Sequence, residues 1–289
     1  MSFREKLLSG KFTVTAEISP PKGTDINGMM KEAGMIKDSV DAVCVTDNQR
    51  AIMRMSPIAA CSALSQEGFE TIMHLTCRDR NRLALQSELL GAAHLGIKNL
   101  LVMSGDYPTK GDHQGAKPVY DLDSVQLLAM ISSLNSGVDL SGNSLEGETE
   151  FFTGAVSNTE LTEVALMKLG KKIKAGARFI ITQAVFDAGR FSEFMDKIHD
   201  AVCKQTGIIA GIIPLRSEKS AHFLNKNIPG VKVPHDMIRR IKATSEPEAV
   251  GIEIAADIIK ELKGVCDGVH IMPIRTHEYT LNILEMAGI

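Results

Sequence analysis

The sequence predicts an α/β fold, a (β/α)8 TIM barrel in a single domain over residues 1–289, on three observations. Eight short β-branched or apolar runs recur along the chain, stretches of helical periodicity separate them, and nearly every run ends on a polar residue able to do chemistry. Eight parallel strands alternating with helices close such a barrel, and its active site is built at the carboxyl ends of those strands. An open doubly wound sheet shows the same alternation, but no G-x-G-x-x-G follows the first run to support it.

The elements follow in order. The first run, Phe12–Ile18, carries Glu17 and is stopped by Pro20 and Pro21. The second, Asp41–Thr46, ends on Thr46; Ser56-Pro57 then offers an N-cap and a proline at the first helical position, with Gly68 as the stop. The third, Glu70–Thr76, contains His74, and the fourth, Lys98–Ser104, leads into Gly105 and Asp106. After the fifth, Phe151–Val156, Asn158 is the expected cap of a helix whose Leu161, Ala165, Leu169 and Ile173 share one face, and Gly176 precedes the sixth, Arg178–Gln183. The seventh, Gly207–Ile213, runs into Pro214. Ser245 and Pro247 open a helix with Ile252, Ala255, Ile259 and Leu262 at helical spacing, ending near Gly264 before the eighth run, Gly268–Met272. Of two longer connections, Tyr107–Val119 follows a strand end and is expected to be a lid, whereas Leu140–Glu150 precedes a strand, on the face that serves stability.

Composition narrows the partners. With 44% hydrophobic and 23% charged residues the chain reads as a soluble globular protein, and its net charge of −3 gives no reason to expect nucleic acid or an anionic membrane. No run approaches the roughly 20 apolar residues of a membrane span and the start lacks a signal-peptide stretch, so a cytoplasmic protein is expected. Five cysteines, at 44, 61, 77, 203 and 266, include no C-x-x-C pair, and no His and Asp cluster has metal-ligand spacing, so no metal site is expected. Cys44 and Cys61 read as buried free thiols; Cys77 lies just past a strand end.

The strand ends carry the candidate chemistry. A glutamate in an apolar barrel mouth, Glu17, tends to have a raised pKa and to serve as a general acid, with a salt-bridged glutamate as the equal alternative. His74 reads first as a hydrogen-bonded structural group and second as a catalyst. Gly105 lets a ligand approach the backbone beside Asp106, whose carboxylate accepts from a ring N–H or a hydroxyl unless it only shapes a turn. An amide at a strand mouth, Gln183, favours ligand recognition. Lys168, Lys171 and Lys172 read as solvated helix residues, and the absence of a strand-end lysine argues against a Schiff-base aldolase. From the residues alone, no reaction is named.

Taken together, Ala16-Glu17-Ile18-Ser19-Pro20-Pro21, Val45-Thr46, His74-Leu75-Thr76-Cys77, Ser104-Gly105-Asp106, Ala175-Gly176-Ala177, Ile181-Thr182-Gln183, Phe186-Asp187 and Gly211-Ile212-Ile213-Pro214 stand in the order in which the chain resembles the methylenetetrahydrofolate reductase family. The resemblance spans essentially the whole chain. It implies flavin-dependent reduction of 5,10-methylenetetrahydrofolate to 5-methyltetrahydrofolate, with Glu17 as general acid and Asp106 beside the flavin and the pterin. It further implies Thr46, His74, Ser104, Gly105, Tyr120, Asp121, Lys171 and Lys172 as cofactor contacts, and Gln183, Ser220, Leu224 and Arg275 on the substrate side.

Three departures bear on function. Ser104 stands where many members have an arginine for the FAD pyrophosphate, and Lys171 supplies charge without a fork, so FMN is the alternative to FAD. Ser220 and Leu224 replace a glutamine and a phenylalanine that contact folate and nicotinamide, which points to a separate electron-donating subunit as the alternative to NAD(P)H, in a homo- or hetero-oligomer. The end of the chain, Val269-His270-Ile271-Met272-Pro273-Ile274-Arg275, differs from the family's usual eighth strand. The alternatives are a flavin-free folate-binding or scaffold subunit, and an unrelated barrel lyase using Glu17 as acid.

Overall fold

The computed structural model describes residues 1–198, 206–228, 230–273 and 276–289; Arg275 and Cys203, singled out in the sequence, lie outside the described residues. After a short helix α1 (Phe3–Leu8), the chain alternates β1 (Thr13–Ile18), α2 (Asn27–Ile36), β2 (Ala42–Val45), α3 (Pro57–Gln66), β3 (Thr71–Thr76), α4 (Arg82–His94), β4 (Asn99–Met103) and α5 (Ser124–Asn135). It continues with β5 (Phe152–Ser157), α6 (Glu163–Lys174), β6 (Phe179–Ala184), α7 (Ala188–Ile198), β7 (Gly207–Ile212), α8 (Glu218–Asn227), α9 (His235–Lys242), α10 (Pro247–Leu262), β8 (Gly268–Ile271) and α11 (Glu278–Ala287). The eight strands pair in parallel, each with its successor, and β8 closes on β1 through Thr13 opposite Gly268 and Thr15 opposite His270. All eight expected runs form strands, and the fold is a single-domain (β/α)8 barrel.

Strand parity sorts the side chains. Ala42, Cys44, Ile72, Leu101, Phe152, Phe179, Ile181 and Ile209 belong to one buried cluster inside the barrel, while their strand neighbours Val43, Val45, Met73, Leu100 and Ile180 pack outward against the helices. The amino end of the barrel is stoppered by α1. Its Phe3, 1% exposed, stands edge-on to Phe179 at 5.2 Å and to Phe152 at 6.0 Å. Lys6 ties α1 to Asp41 at 2.6 Å, and Asp41 also accepts from the Val14 amide. With that end filled by Phe3 and Leu7 among the described residues, the carboxyl-end face is where a ligand would meet the interior.

Two helix starts differ from expectation. The helix after β5 is capped by Thr162, whose hydroxyl accepts from the Ala165 amide, with Glu163 complementing the exposed N–H groups of the first turn; Asn158 stays in the preceding loop. Glu246, not Ser245, is the N-cap residue of α10, because Pro247 occupies its first turn and the Glu246 amide is turned to the Thr244 hydroxyl. Ser56 does precede Pro57 at the start of α3, and there its carbonyl, not its side chain, takes the first amides. The long segment 140–150 folds as a turn-rich connection stapled by Asn135, which accepts from Thr149 and Phe151, next to the α1 stopper.

Candidate active site

Inward parity turns Glu17, Thr46, His74 and Gln183 toward the barrel interior near the carboxyl ends of four different strands. Glu17, next to last on β1, sits opposite Cys44 of β2 and keeps an opening to the mouth. Burial pushes its carboxyl up to about 7, opposed by the Gln49 amide, which donates to Oε1 at 2.7 Å. Burial and the nearby Glu17 charge push the Cys44 thiol well above its ordinary range. Below them, His270 on β8 places Nδ1 3.0 Å from the Thr15 hydroxyl, and burial pushes its pKa down to about 4. His74 is pushed down to about 3 by burial and then by His270, so the imidazole is neutral.

Two buried polar atoms in this mouth have no hydrogen-bond partner in the protein: Thr46 Oγ1 and His74 Nε2. An unsatisfied buried group costs about 1–3 kcal/mol, so such atoms call for a ligand that bonds to them. The side-chain amide of Gln183 is half-buried and likewise unpaired among the described residues.

The neighbouring wall is the turn after β4. Gly105 takes φ +85°, and a Cβ there would meet Thr76 and Arg78 at 3.1–3.2 Å, so only glycine lets the turn lie against β3. The Tyr120 hydroxyl donates to the Gly105 carbonyl at 3.2 Å, the Tyr120 backbone itself is left-handed at φ 42°, and Tyr107 stacks on its ring at 6.2 Å. Asp106 and Ser104 are exposed; the Asp106 carboxylate lies 3.7 Å from Lys110.

Arg78 holds this turn from beneath. Its guanidinium, 2% exposed, forks onto Asp79 with two bonds of 2.7 Å and donates to the backbone carbonyls of Asp106 and Asn48 at 3.2 Å each. Beside it, the fully buried Asp47 carboxylate accepts from the Thr76 amide and hydroxyl and from Arg80 at 2.6 Å, and Arg80 also pairs with Glu88.

The remaining sequence candidates are dispersed. Lys172 is buried, donates to the Val156 carbonyl at the end of β5 at 2.5 Å, and is pushed down to about 8 by burial and by Lys168. Lys171, its neighbour, is exposed. Asp121 is engaged by the amide and guanidinium of Arg82, which hold its carboxyl down at about 2. The Ser220 hydroxyl is taken up in the N-terminal cap of α8, bonded to Arg216 and Ser217, and Leu224 is buried. Phe223, one residue earlier, is exposed instead, with the Arg50 guanidinium 5.7 Å above its ring. The segment expected as a lid is docked: Asp112 accepts from the Met53 amide at 3.0 Å and pairs with Lys22 and His113.

Asp47, Gln49, Arg50, Arg78, Arg80, Phe223 and His270 are absent from the sequence-derived site. The signal for most of them was present, as the polar runs Asp47-Asn48-Gln49-Arg50 and Arg78-Asp79-Arg80 directly follow β2 and β3. A separate cavity of about 790 Å³ lies beside the end of β6, lined by Phe186, Arg190, Asn225 and His235 among others, and includes none of the acid's neighbours. No cluster of three His, Cys, Asp or Glu suited to a metal ion occurs among the described residues, and no described helix is long and apolar enough to cross a membrane.

A barrel stoppered at one end, with a buried carboxyl and unsatisfied polar atoms at the other, defines the class as a (β/α)8 barrel whose candidate site lies at the carboxyl ends of its strands. The particular lineage follows from comparison: the chain belongs to the methylenetetrahydrofolate reductase family, which it matches over residues 2–288. It is 28% identical to the 5,10-methylenetetrahydrofolate reductase of Pectobacterium carotovorum subsp. carotovorum, over 97% of this chain and 89% of that one. The Escherichia coli K12 enzyme of the same name is 26% identical over 97% of this chain and 90% of its own. Among solved structures, an uncharacterized protein from Clostridium thermocellum that binds two copies of 5-methyl-5,6,7,8-tetrahydrofolic acid shares the fold with a TM-score of 0.70 at 16% identity, covering 98% of this chain and 96% of that chain. EDTA monooxygenase from Chelativorans sp. BNC1 shares it at a TM-score of 0.60 and 8% identity, covering 96% and 92%.

Proposed function

We propose that the protein reduces 5,10-methylenetetrahydrofolate to 5-methyltetrahydrofolate by hydride transfer from a bound reduced flavin, with Glu17 as general acid. The observation that carries the reading is the carboxyl of Glu17, held at about 7 at the open end of the barrel. A carboxylic acid with that proton affinity is poised to protonate a bridging nitrogen of the folate, breaking its bond to the methylene carbon and leaving an electrophilic iminium. Hydride addition at that carbon completes the methyl group, and Glu17 regains its proton from water. A flavin supplies the hydride; the chain supplies position and electrostatics.

The residues fit such a group. Thr46 Oγ1 and His74 Nε2 are unpaired and buried where a planar heterocycle with donors and acceptors on its edge would satisfy them, and the Gly105 turn lets a ring approach the backbone beside Asp106. Tyr120 borders the same wall and Lys172 lies at the end of β5; Asp121 and Lys171 have a role only toward the outer part of a cofactor. With the Arg78 fork committed to Asp79, Arg80 paired with Asp47 and Glu88, and no charge at Ser104, no described residue of this wall offers a free bidentate site for a pyrophosphate, which favours FMN over FAD. On the substrate side the half-buried amide of Gln183 would bond to folate. The exposed ring of Phe223 offers an aromatic face that Leu224 lacks, and Ser220 has no free hydroxyl to give. Electrons come from NAD(P)H or from a partner subunit in an oligomeric, cytoplasmic enzyme.

The test is Glu17→Gln. Reduction of methylenetetrahydrofolate by the pre-reduced protein should fall by roughly 10²–10⁴-fold, the usual contribution of a positioned general acid. Bleaching of the flavin by a chemical reductant should be unaffected. A variant that still turned over at the parent rate would remove Glu17 from the chemistry.

A further inference from the structure

We propose that Gln49 is a positioning residue that fixes which oxygen of Glu17 carries the transferable proton, and that the loops after β2 and β4 form one rigid seat holding it there. The inference rests on the reading of Glu17 as the acid. In the loop after β2, three non-glycine residues take left-handed backbone: Asn48 at φ 45°, Arg50 at φ 58° and Ala51 at φ 57°. Strain of this kind persists only where the surroundings over-determine it, and it concentrates at functional sites.

Here the surroundings do so from every side. Asn48 donates to Asp79 at 3.3 Å, accepts from the Arg54 amide at 2.9 Å through its side chain, and receives Arg78 on its carbonyl. Arg50 is drawn across to the Phe223 ring on α8. Ala51 lies against Gly111 of the β4 loop so closely that a Cβ at 111 would fall 1.8 Å from the Ala51 carbonyl oxygen. Asp112 then locks the two loops together through Met53 and Lys22. Into the mouth this seat sends the Gln49 amide, whose Nε2 donates to Glu17 Oε1 at 2.7 Å.

An N–H donor aimed at Oε1 excludes a proton from that oxygen. In the acid form the proton therefore sits on Oε2, the oxygen that Gln49 leaves free, while Oε1 goes on accepting from Gln49. The same bond strengthens the ionised form and opposes burial. Among the described residues, the other titratable groups near Glu17 are uncharged near neutral pH: the Cys44 thiol on β2 is pushed up, and His270 on β8 and His277 before α11, the latter turned toward the Glu17 carbonyl, are pushed down. Arg50, the neighbouring cation, is directed to Phe223 instead. Gln49 is thus the lever on the acid. Were its amide reversed, with the carbonyl accepting the acid's proton, it would stabilise the neutral form and act with the opposite sign.

The test reads Glu17 directly, by infrared titration of the carboxyl band that disappears in Glu17→Gln. In Gln49→Ala the titration midpoint should rise by about one pH unit, the scale of one hydrogen bond to a carboxylate. The pH profile of kcat should move the same way. Gly111→Ala, which touches Glu17 only through the loop, should shift the midpoint in the same direction. A midpoint that stayed in place or fell in Gln49→Ala would overturn the proposal, whatever the change in thermal stability. If the band shifted as expected while the protein failed to reduce methylenetetrahydrofolate, the seat would stand and the reductase reading would fall. An active reductase whose Glu17 midpoint ignored Gln49 would do the reverse.

Discussion

At the scale of the residue, the mouth trades stability for chemistry. Glu17 is held at about 7, up from an ordinary 4.5, because burial disfavours its charge more than one amide bond restores it. At this one residue the folded protein therefore binds more of a proton than the unfolded chain does between those two values, while the depressed His74 and His270 work in the opposite sense in both the parent and Glu17→Gln. The stability contribution of Glu17 is full below pH 4.5 and is lost as pH rises through 7. Replacing the carboxyl with the uncharged amide of Glu17→Gln should then stabilise the protein at pH 8 relative to the parent by about 2 kcal/mol, allowing for the opening to water, and should change little at pH 4.5. Denaturant titrations of both proteins at the two pH values check the sign, and a stability gap independent of pH would contradict it. Glu17 could be picked out from its sequence neighbourhood because a carboxylate between apolar residues and a Pro-Pro stop has few places to go. Gln49, Arg78 and Phe223 could not, because their roles depend on where a loop folds: Arg78 matters through carbonyls at 48 and 106, which only the closed barrel brings together.

At the scale of the element, periodicity carried most of the information. Strands buried on both faces read as short apolar runs, and eight of them were visible. Helix starts were less legible, since Asn158 and Thr162 are both competent caps and only packing of the β5–α6 loop decides between them. The stopper helix α1 went unread although it announces itself in Ser2-Phe3-Arg4-Glu5, where the Ser2 hydroxyl accepts from the Glu5 amide and the Glu5 carboxylate from the Ser2 amide. Six residues are too few to hold a helix alone, so α1 exists because Phe3 is buried between two rings of the barrel interior. Phe3→Ala should cost about 3–5 kcal/mol and open the amino end to water, while leaving the geometry of Glu17 and Gln49 unchanged. Chemical denaturation would register the loss. An unaltered Glu17 titration in the same variant would show that the stopper and the mouth are independent.

At the scale of the whole molecule, a closed barrel links the mouth to global stability, because every strand has two partners and no edge can fray alone. Unsatisfied atoms at Thr46 and His74 therefore weaken the entire fold, and a ligand that bonds to them should strengthen it. Flavin added to flavin-free protein at 100 times its dissociation constant should stabilise it by about 2.7 kcal/mol, seen as a rise in Tm. Thr46→Val keeps the shape of the side chain and removes the orphaned oxygen. The flavin-free variant should be more stable than the parent by about 1 kcal/mol, and the same flavin concentration should raise its Tm by less. The two shifts must be opposed in sign if Thr46 is kept unsatisfied for a ligand. A variant that gained stability yet took up flavin as tightly as the parent would assign the hydroxyl no part in the cofactor site, and one that lost stability would show that Thr46 already serves the empty barrel.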